Sequence, residues 1–229
     1  MALPAPTTSF DTAPLIKRVR SLVVNERNAY YGDGSLQVIV VGGPVQKVLR
    51  PAQIEAGSLE RDLEQQALYG AASILTRGEK VVSKVEKGVL SIAQQESSLS
   101  LTEDGALAIV QPARRRAGND GLGISALIEE DVIEAIERSL RFASIVLNTI
   151  DRVKHLTALV VAVALNGAGY TPWRTRAEHS ASPNSGFMGR GVDHIVVDLG
   201  RSIPRASLSR QIPEAAKDLM ILLRREVKG

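Results

Sequence analysis

The feature that most constrains the fold is a long apolar stripe in the second half of the chain. Acidic residues crowd its first turns, and Arg138 and Arg141 lie further along, which suits the helix dipole. The apolar residues recur at steps of three or four positions, the spacing of one helix face: Ile128, Val132, Ile136, Leu140, Ala143, Leu147 and Ile150. The sequence therefore predicts a long helix that packs one face against another layer.

The first half of the chain is rich in strand patterns. Residues 35–51 predict two short strands around Gly42-Gly43-Pro44, and residues 79–95 and 97–112 predict further strands. Glu103-Asp104-Gly105 is typical of a hairpin turn. Together these patterns predict a mostly antiparallel sheet.

Several further elements complete the predicted fold. They are a helix that begins near Asp11 and Thr12, weak helical character over 55–76, a central buried helix over Arg152–Leu165, a buried strand over His194–Gly200 and a last helix that begins at Pro213. This order predicts an α+β fold, in which a mostly antiparallel sheet is backed by helices and the second half is helix-rich.

Composition bounds the domain organisation. The chain has 229 residues, enough for one large domain or two small lobes. Residues 1–10 are rich in Pro and Thr and are expected to form a flexible arm. Residues 11–229 are expected to form a single α+β domain, or two lobes, with an exposed loop at 113–126.

Residue counts also exclude some classes of protein. The absence of cysteine excludes disulfides, thiolate zinc sites and a cysteine nucleophile. The net charge of +3 is too mild to be a nucleic-acid signature by itself. The most apolar run, Leu156 to Leu165, is about half the roughly twenty residues that a membrane span needs. We therefore expect a cytoplasmic protein with no membrane partner.

A glycine-rich stretch precedes the long helix. Gly118, Gly121 and Gly123 follow Arg114, Arg115 and Arg116, and main-chain amides of such a loop can hold phosphate. The spacing matches neither the dinucleotide nor the nucleotide-triphosphate pattern. An exposed, mobile loop is the favoured interpretation.

Catalytic signals are weak. Glu178-His179-Ser180 and Asp193-His194 place carboxylates beside histidines, as a general base requires. The chain lacks a G-x-S-x-G motif and metal-binding histidine spacing, and His155 is expected to be a core residue. A hydrolase that uses Glu178 and His179 remains a less favoured alternative, and we predict no catalytic residue, metal site or cofactor.

The stretch from Thr171 to Gly191 contains the single tryptophan of the chain. An exposed indole could stack on a base, and nearby arginines could contact phosphates. The predicted nucleic-acid interface comprises Trp173, Arg174, Arg176, Arg190, Arg114, Arg115 and Arg116. The alternative is that Trp173 closes one end of the core and the arginines pair with Glu178 and Asp193.

Four segments resemble a known family. They are LRPAQIE (49–55), LIEEDV (127–132), WRTRAEHSASPN (173–184) and LLRREV (222–227). Together they resemble the C-terminal region of actinobacterial Schlafen-like, AlbA-type DNA-binding proteins. The resemblance implies a DNA-associated setting and transfers no functional residue to this chain.

The favoured hypothesis is a non-catalytic binding module in a regulatory or nucleic-acid-associated setting, such as transcription regulation, that also forms homo-oligomers. The interface would be the exposed Arg/Trp loop. The alternative is a self-associating structural or assembly protein. Salt-dependent DNA binding would favour the first, and a stable oligomer without a ligand would favour the second.

Overall fold

Eight strands of the chain pair into one antiparallel sheet. The computed structural model describes residues 11–23, 34–113, 126–167, 171–182 and 194–228. The predicted arm at 1–10, the residues 114–125 of the predicted loop, and Arg190 therefore lie outside the described residues.

The sheet has the strand order β10-β7-β1-β5-β4-β3-β2, and β9 pairs with β7 beside β10. Every pair in it is antiparallel. The strands are β1 (Ser35–Gly43), β2 (Val82–Glu86), β3 (Val89–Ala93), β4 (Ser98–Thr102), β5 (Leu107–Pro112), β7 (Ala158–Asn166), β9 (His194–Asp198) and β10 (Ile203–Pro204). Two short strands, β6 (Leu127–Ile128) and β8 (Trp173–Arg174), form a separate parallel pair.

Helices cover both faces of this sheet. On one face, α4 and α6 pack against each other and against the sheet, and alternate residues of β1 such as Leu36 and Val38 join their core. On the other face, Leu15 and Val19 of α1 pack against Ile39. The helices are α1 (Ala13–Leu22), α2 (Pro51–Ile54), α3 (Gly57–Tyr69), α4 (Glu129–Ile150), α5 (Arg176–Ala181) and α6 (Leu208–Lys228).

The α+β class is confirmed, as are its most periodic elements. The apolar stripe forms the 22-residue helix α4, with Ile136 and Leu140 fully buried. The turn at Glu103-Asp104-Gly105 joins β4 to β5, and Gly105 has the positive φ of 75° that glycine adopts without strain. The helix near Asp11 is α1, whose Ala13 N–H donates to Oδ1 of Asp11 at 3.0 Å.

The expected central helix over Arg152–Leu165 is wrong. Residues 158–166 form the strand β7, and its first eight residues are buried. The sequence correctly predicted that this segment is buried, but it predicted a helix where the structure has a strand. A strand covered on both faces reads as an unbroken apolar run, which periodicity cannot distinguish from a buried helix.

Three other elements also differ from the sequence prediction. Residues 35–51 contain one strand, β1, which ends before Pro44, and the second expected strand does not form. The last helix begins at Leu208, because Leu208 and Ile212 already pack into the core ahead of Pro213. In β9 only Ile195 and Val197 are buried, because one face of this strand packs against α6 and the other does not.

Within the described ranges, no helix is both long enough and apolar enough to cross a bilayer.

Candidate binding groove

A groove of about 410 Å³ opens between the first half of α4 and the end of the sheet. Its floor comes from the paired residues Leu36 of β1 and Gln111 of β5. Residues 73–76, which follow α3, and the turn between β3 and β4 form one wall, and α4 forms the other. Its polar lining residues include Glu79, Glu96, Ser97, Gln111, Asp131, Glu134 and Arg138.

Gln111 is the unusual residue of this groove. Leu107 and Ile109 precede it at alternate positions of β5 and belong to the core between sheet and helices, so strand alternation turns Gln111 to the same side. Its side chain is only 5% exposed, and its Nε2 has no hydrogen-bond partner within the described part of the chain. A buried amide without a partner costs about 1–3 kcal/mol. A ligand that offers a hydrogen-bond acceptor to this N–H group would remove that cost.

A second buried glutamine, Gln94, lies behind the wall of the groove and has both of its amide groups hydrogen-bonded. Gln94 is 8% exposed. Its Nε2 donates to the carbonyl oxygen of Thr76 at 2.7 Å, and its Oε1 accepts from the Thr76 N–H at 2.8 Å. This paired contact fixes the segment after α3 against the hairpin, so the wall of the groove is anchored.

The α4 wall carries most of the charge. Arg176 donates to Oδ1 of Asp131 at 2.5 Å and to Oε1 of Glu134 at 3.3 Å. The hydrogen bond to Asp131 is the main reason that the pKa of Arg176 is raised. Neither Glu79 nor Arg138 forms an ion pair among the described residues. Among the described residues that line the groove, four are carboxylates and one is an arginine, Arg138.

This arrangement suits a ligand of mixed polarity. The amide of Gln111 donates and needs an acceptor such as a carbonyl or hydroxyl oxygen. The carboxylates accept and attract a cation. Neither a nucleophile with an adjacent base nor a set of metal ligands is required for such binding. Within the described ranges, no group of three or more His, Asp or Glu residues could hold a metal ion.

The structure places Trp173 in the core and not on the surface. Its side chain is 7% exposed, and Nε1 donates to Oε1 of Glu129 at 2.8 Å. Glu129 also accepts from Arg224 of α6 at 3.2 Å. The expectation of an exposed indole is therefore wrong, because β8 pairs with β6 and draws Trp173 under the start of α4.

Arg174 is likewise withdrawn from solvent. It is 8% exposed, and its guanidinium donates to the carbonyl oxygen of Ser182 at 2.6 Å, across the helix α5. Arg176 is 48% exposed but is paired with α4 as described above. The expected partner Glu178 pairs with neither arginine at hydrogen-bond distance within the described chain.

The structure does not describe the other four residues of the predicted nucleic-acid interface. Arg114, Arg115, Arg116 and Arg190 lie outside the described residues. The interface therefore stays a prediction that depends on these four arginines, because the described members are held by carboxylates or carbonyl groups.

Glu178 and His179, the pair considered for hydrolysis, serve the local helix. Oε2 of Glu178 accepts from the Thr175 N–H at 2.8 Å, and the Glu178 N–H donates to Oγ1 of Thr175 at 3.2 Å, which is a capping box at the start of α5. The hydrogen bond from the Thr175 main chain is the main reason that the pKa of Glu178 is lowered. The Glu178 carboxylate, which the hydrolase alternative would use to orient His179, is therefore hydrogen-bonded to Thr175 instead.

His155 is not the core residue that the sequence predicted. It lies in the connection between α4 and β7, its side chain is 57% exposed, and Nδ1 is 3.2 Å from Oδ1 of Asp151. Asp151 is fully buried and pairs with Arg205, which also donates to the carbonyl oxygen of Leu147 at 2.8 Å. This cluster terminates α4 by satisfying its last carbonyl groups.

The sequence prediction missed the groove and its central amide. One signal was present, because a glutamine continues the inward positions of Leu107 and Ile109 in an alternating strand. The carboxylates gave no comparable signal, since Glu79 and Glu96 are distant in sequence from α4.

Comparison of the chain with protein-family models, curated proteins and solved structures gave no significant match.

Proposed function

We propose that the protein is a non-catalytic binding module and that the groove between α4 and β5 is its ligand site. The ligand class is a small molecule or peptide segment that carries both a cationic group and a hydrogen-bond acceptor. The observation that carries this proposal is the buried Nε2 of Gln111, which has no partner within the described ranges and lies on the floor of a groove lined by carboxylates.

Three properties support a ligand site over a packing defect. The groove is roomy, at about 410 Å³. Its wall is anchored by the double hydrogen bond between Gln94 and Thr76, so the shape exists before a ligand arrives. The charged residues described along its lining are mostly carboxylates, and such a lining attracts cations.

Isothermal titration calorimetry at low ionic strength tests the proposal. The probe is L-arginine amide, which carries cationic groups and a carbonyl acceptor, and the comparison probe is the anion N-acetyl-L-aspartate. We expect the protein to bind the first and not the second, with an affinity that falls as salt is added because screening weakens the attraction.

Two variants connect the binding to the groove. Gln111→Leu removes the donor at nearly constant volume and is expected to weaken the binding of L-arginine amide by about fivefold, since one lost hydrogen bond is worth about 1 kcal/mol. Glu79→Gln should weaken it through lost charge. Glu226→Gln, on the exposed side of α6, is the matched control and should bind like the wild type. Absence of wild-type binding, or equal binding by Gln111→Leu, would overturn the proposal.

A regulatory setting, transcription regulation and a cytoplasmic location remain parts of this proposal. DNA binding would have to involve Arg114–Arg116 and Arg190. A salt-dependent mobility shift that is lost when Arg114, Arg115 and Arg116 are changed to Ala would support it.

A further inference from the structure

β2 is the terminal strand of the sheet. Within the described chain it pairs only with β3 and leaves its other edge without a strand. Two of its valines are unusually exposed, Val82 at 55% and Val85 at 36%. An edge of this kind is a template for pairing with another strand.

The main-chain groups available at this edge follow from the hairpin. Lys87 and Gly88 form a two-residue turn with positive φ values of 52° and 75°, so Glu86 and Val89 are hydrogen-bonded across it. Pairs alternate along an antiparallel ladder, and Ser83 and Val85 therefore direct their N–H and C=O groups away from β3.

The opposite edge of the sheet is protected. β10 has only two residues, and one of them is Pro204, which has no N–H to donate. Next to it, β9 is packed against α6. Residues 80–86 contain neither Pro nor Gly, so every residue of β2 has an N–H group for pairing. Lys84, a residue type that discourages edge pairing, forms an ion pair with Glu86 of its own strand at 3.5 Å.

We propose that a second copy of this chain pairs with β2 to form an antiparallel, two-fold symmetric dimer with one continuous sheet. In the register that we infer, Ser83 lies opposite Ser83 of the second copy. Val81 then faces Val85 of the second copy as a hydrogen-bonded apolar pair. Lys80 faces Glu86 of the second copy, so opposite charges meet at both ends.

Charge complementarity selects this partner and this register. A two-fold axis through Lys84 would also satisfy the main chain, but it would place two lysines opposite each other, which is destabilising. The axis through Ser83 pairs Lys84 with Val82 of the second copy instead. The segment 80–86 is thus self-complementary, as an isologous contact requires.

Sedimentation velocity and light scattering over a concentration series test the dimer. We expect the mass to rise from 24.6 kDa towards twice that value as the full chain is concentrated. Glu86→Lys places Lys opposite Lys80 at both ends and should raise the dimer dissociation constant by about tenfold. The double variant Lys80→Glu/Glu86→Lys restores opposite charges and should restore dimerisation.

Glu226→Lys makes the same charge change on α6 and is the matched control, expected to dimerise like the wild type. Circular dichroism of each variant confirms that the monomer is folded. A wild type that stays monomeric at every concentration overturns the proposal. So does a dimer that Glu86→Lys leaves unchanged, or a double variant that remains as weak as the single one.

Discussion

Trp173 and Glu129 are joined by a hydrogen bond of 2.8 Å from the indole Nε1 to Oε1, at the residue where α4 begins. Arg224 of α6 donates to the same carboxylate. One buried contact therefore connects β8, the start of α4 and the end of α6. The single tryptophan has a structural task, which replaces the stacking role expected from the sequence.

Trp173→Ala should lower the free energy of unfolding by about 3–5 kcal/mol, because it opens a cavity. Trp173→Phe keeps most of the volume and loses the hydrogen bond, so we expect a loss of about 1 kcal/mol. Urea denaturation measures both. If Trp173→Ala is as mild as Trp173→Phe, the indole does not pack as described.

Asp151→Asn should be strongly destabilising. Asp151 is fully buried and the Arg205 side chain is only 7% exposed, so the variant leaves a buried guanidinium without its counter-charge. Breaking such a pair costs about 3–5 kcal/mol. Asp104→Asn is the matched control, because its partner Arg18 is 33% exposed, and thermal unfolding should show a clearly smaller loss. Equal losses would contradict the special status of the Asp151 pair.

Acid should destabilise the protein through the same two carboxyl groups. Burial alone would raise the pKa of Asp151, but hydrogen bonds from the Leu156 and His155 main chain and the charge of Arg205 outweigh it and lower the pKa. For Asp104, bonds from Arg18 and Thr102 outweigh burial in the same way. A lowered pKa contributes stability that is present above the unfolded value and lost as pH falls through the folded value.

We therefore expect the free energy of unfolding to decline below about pH 4. The decline should be shallower in Asp151→Asn, which no longer has that titrating group. Urea titrations between neutral pH and pH 3 measure it. An identical pH profile in the variant would refute the assignment to Asp151.

Val161→Asp should unfold the protein. Val161 is 0% exposed in β7, and an unpaired buried carboxylate costs several kcal/mol. Val196→Asp makes the same change on β9, where the side chain is 38% exposed, and should be folded. Circular dichroism and melting temperature compare them, and a folded Val161→Asp with an unchanged melting temperature would refute this view of the core.

Replacing each of the two buried glutamines with Leu should change the free energy of unfolding differently. Gln94→Leu breaks both bonds to Thr76 and should destabilise the protein by about 1–3 kcal/mol. Gln111→Leu removes an amide donor that has no partner within the described residues, so it should leave stability unchanged or raise it by about 1 kcal/mol. A large loss of stability in Gln111→Leu would show that the amide is satisfied in the folded protein.

The sequence by itself determined the elements whose signals are local. The stripe from Val132 to Leu147 follows the helical period, so α4 could be recognised without any knowledge of its partners. Gly105 supplies the positive φ that the turn between β4 and β5 needs, and this requirement is also local. The burial of residues 158–165 was evident too, because no polar side chain interrupts them.

Only the tertiary structure decided the rest, because the deciding contacts join residues that are distant in the chain. Residues 158–166 are a strand since β1, β9 and β10 lie beside them and satisfy their main chain. The acidic groove exists because α4 crosses the end of β5 near Glu79. Trp173 is buried because Glu129, 44 positions earlier, accepts its N–H. No property of the segment around Trp173 distinguishes a buried indole from an exposed one until that partner is in place.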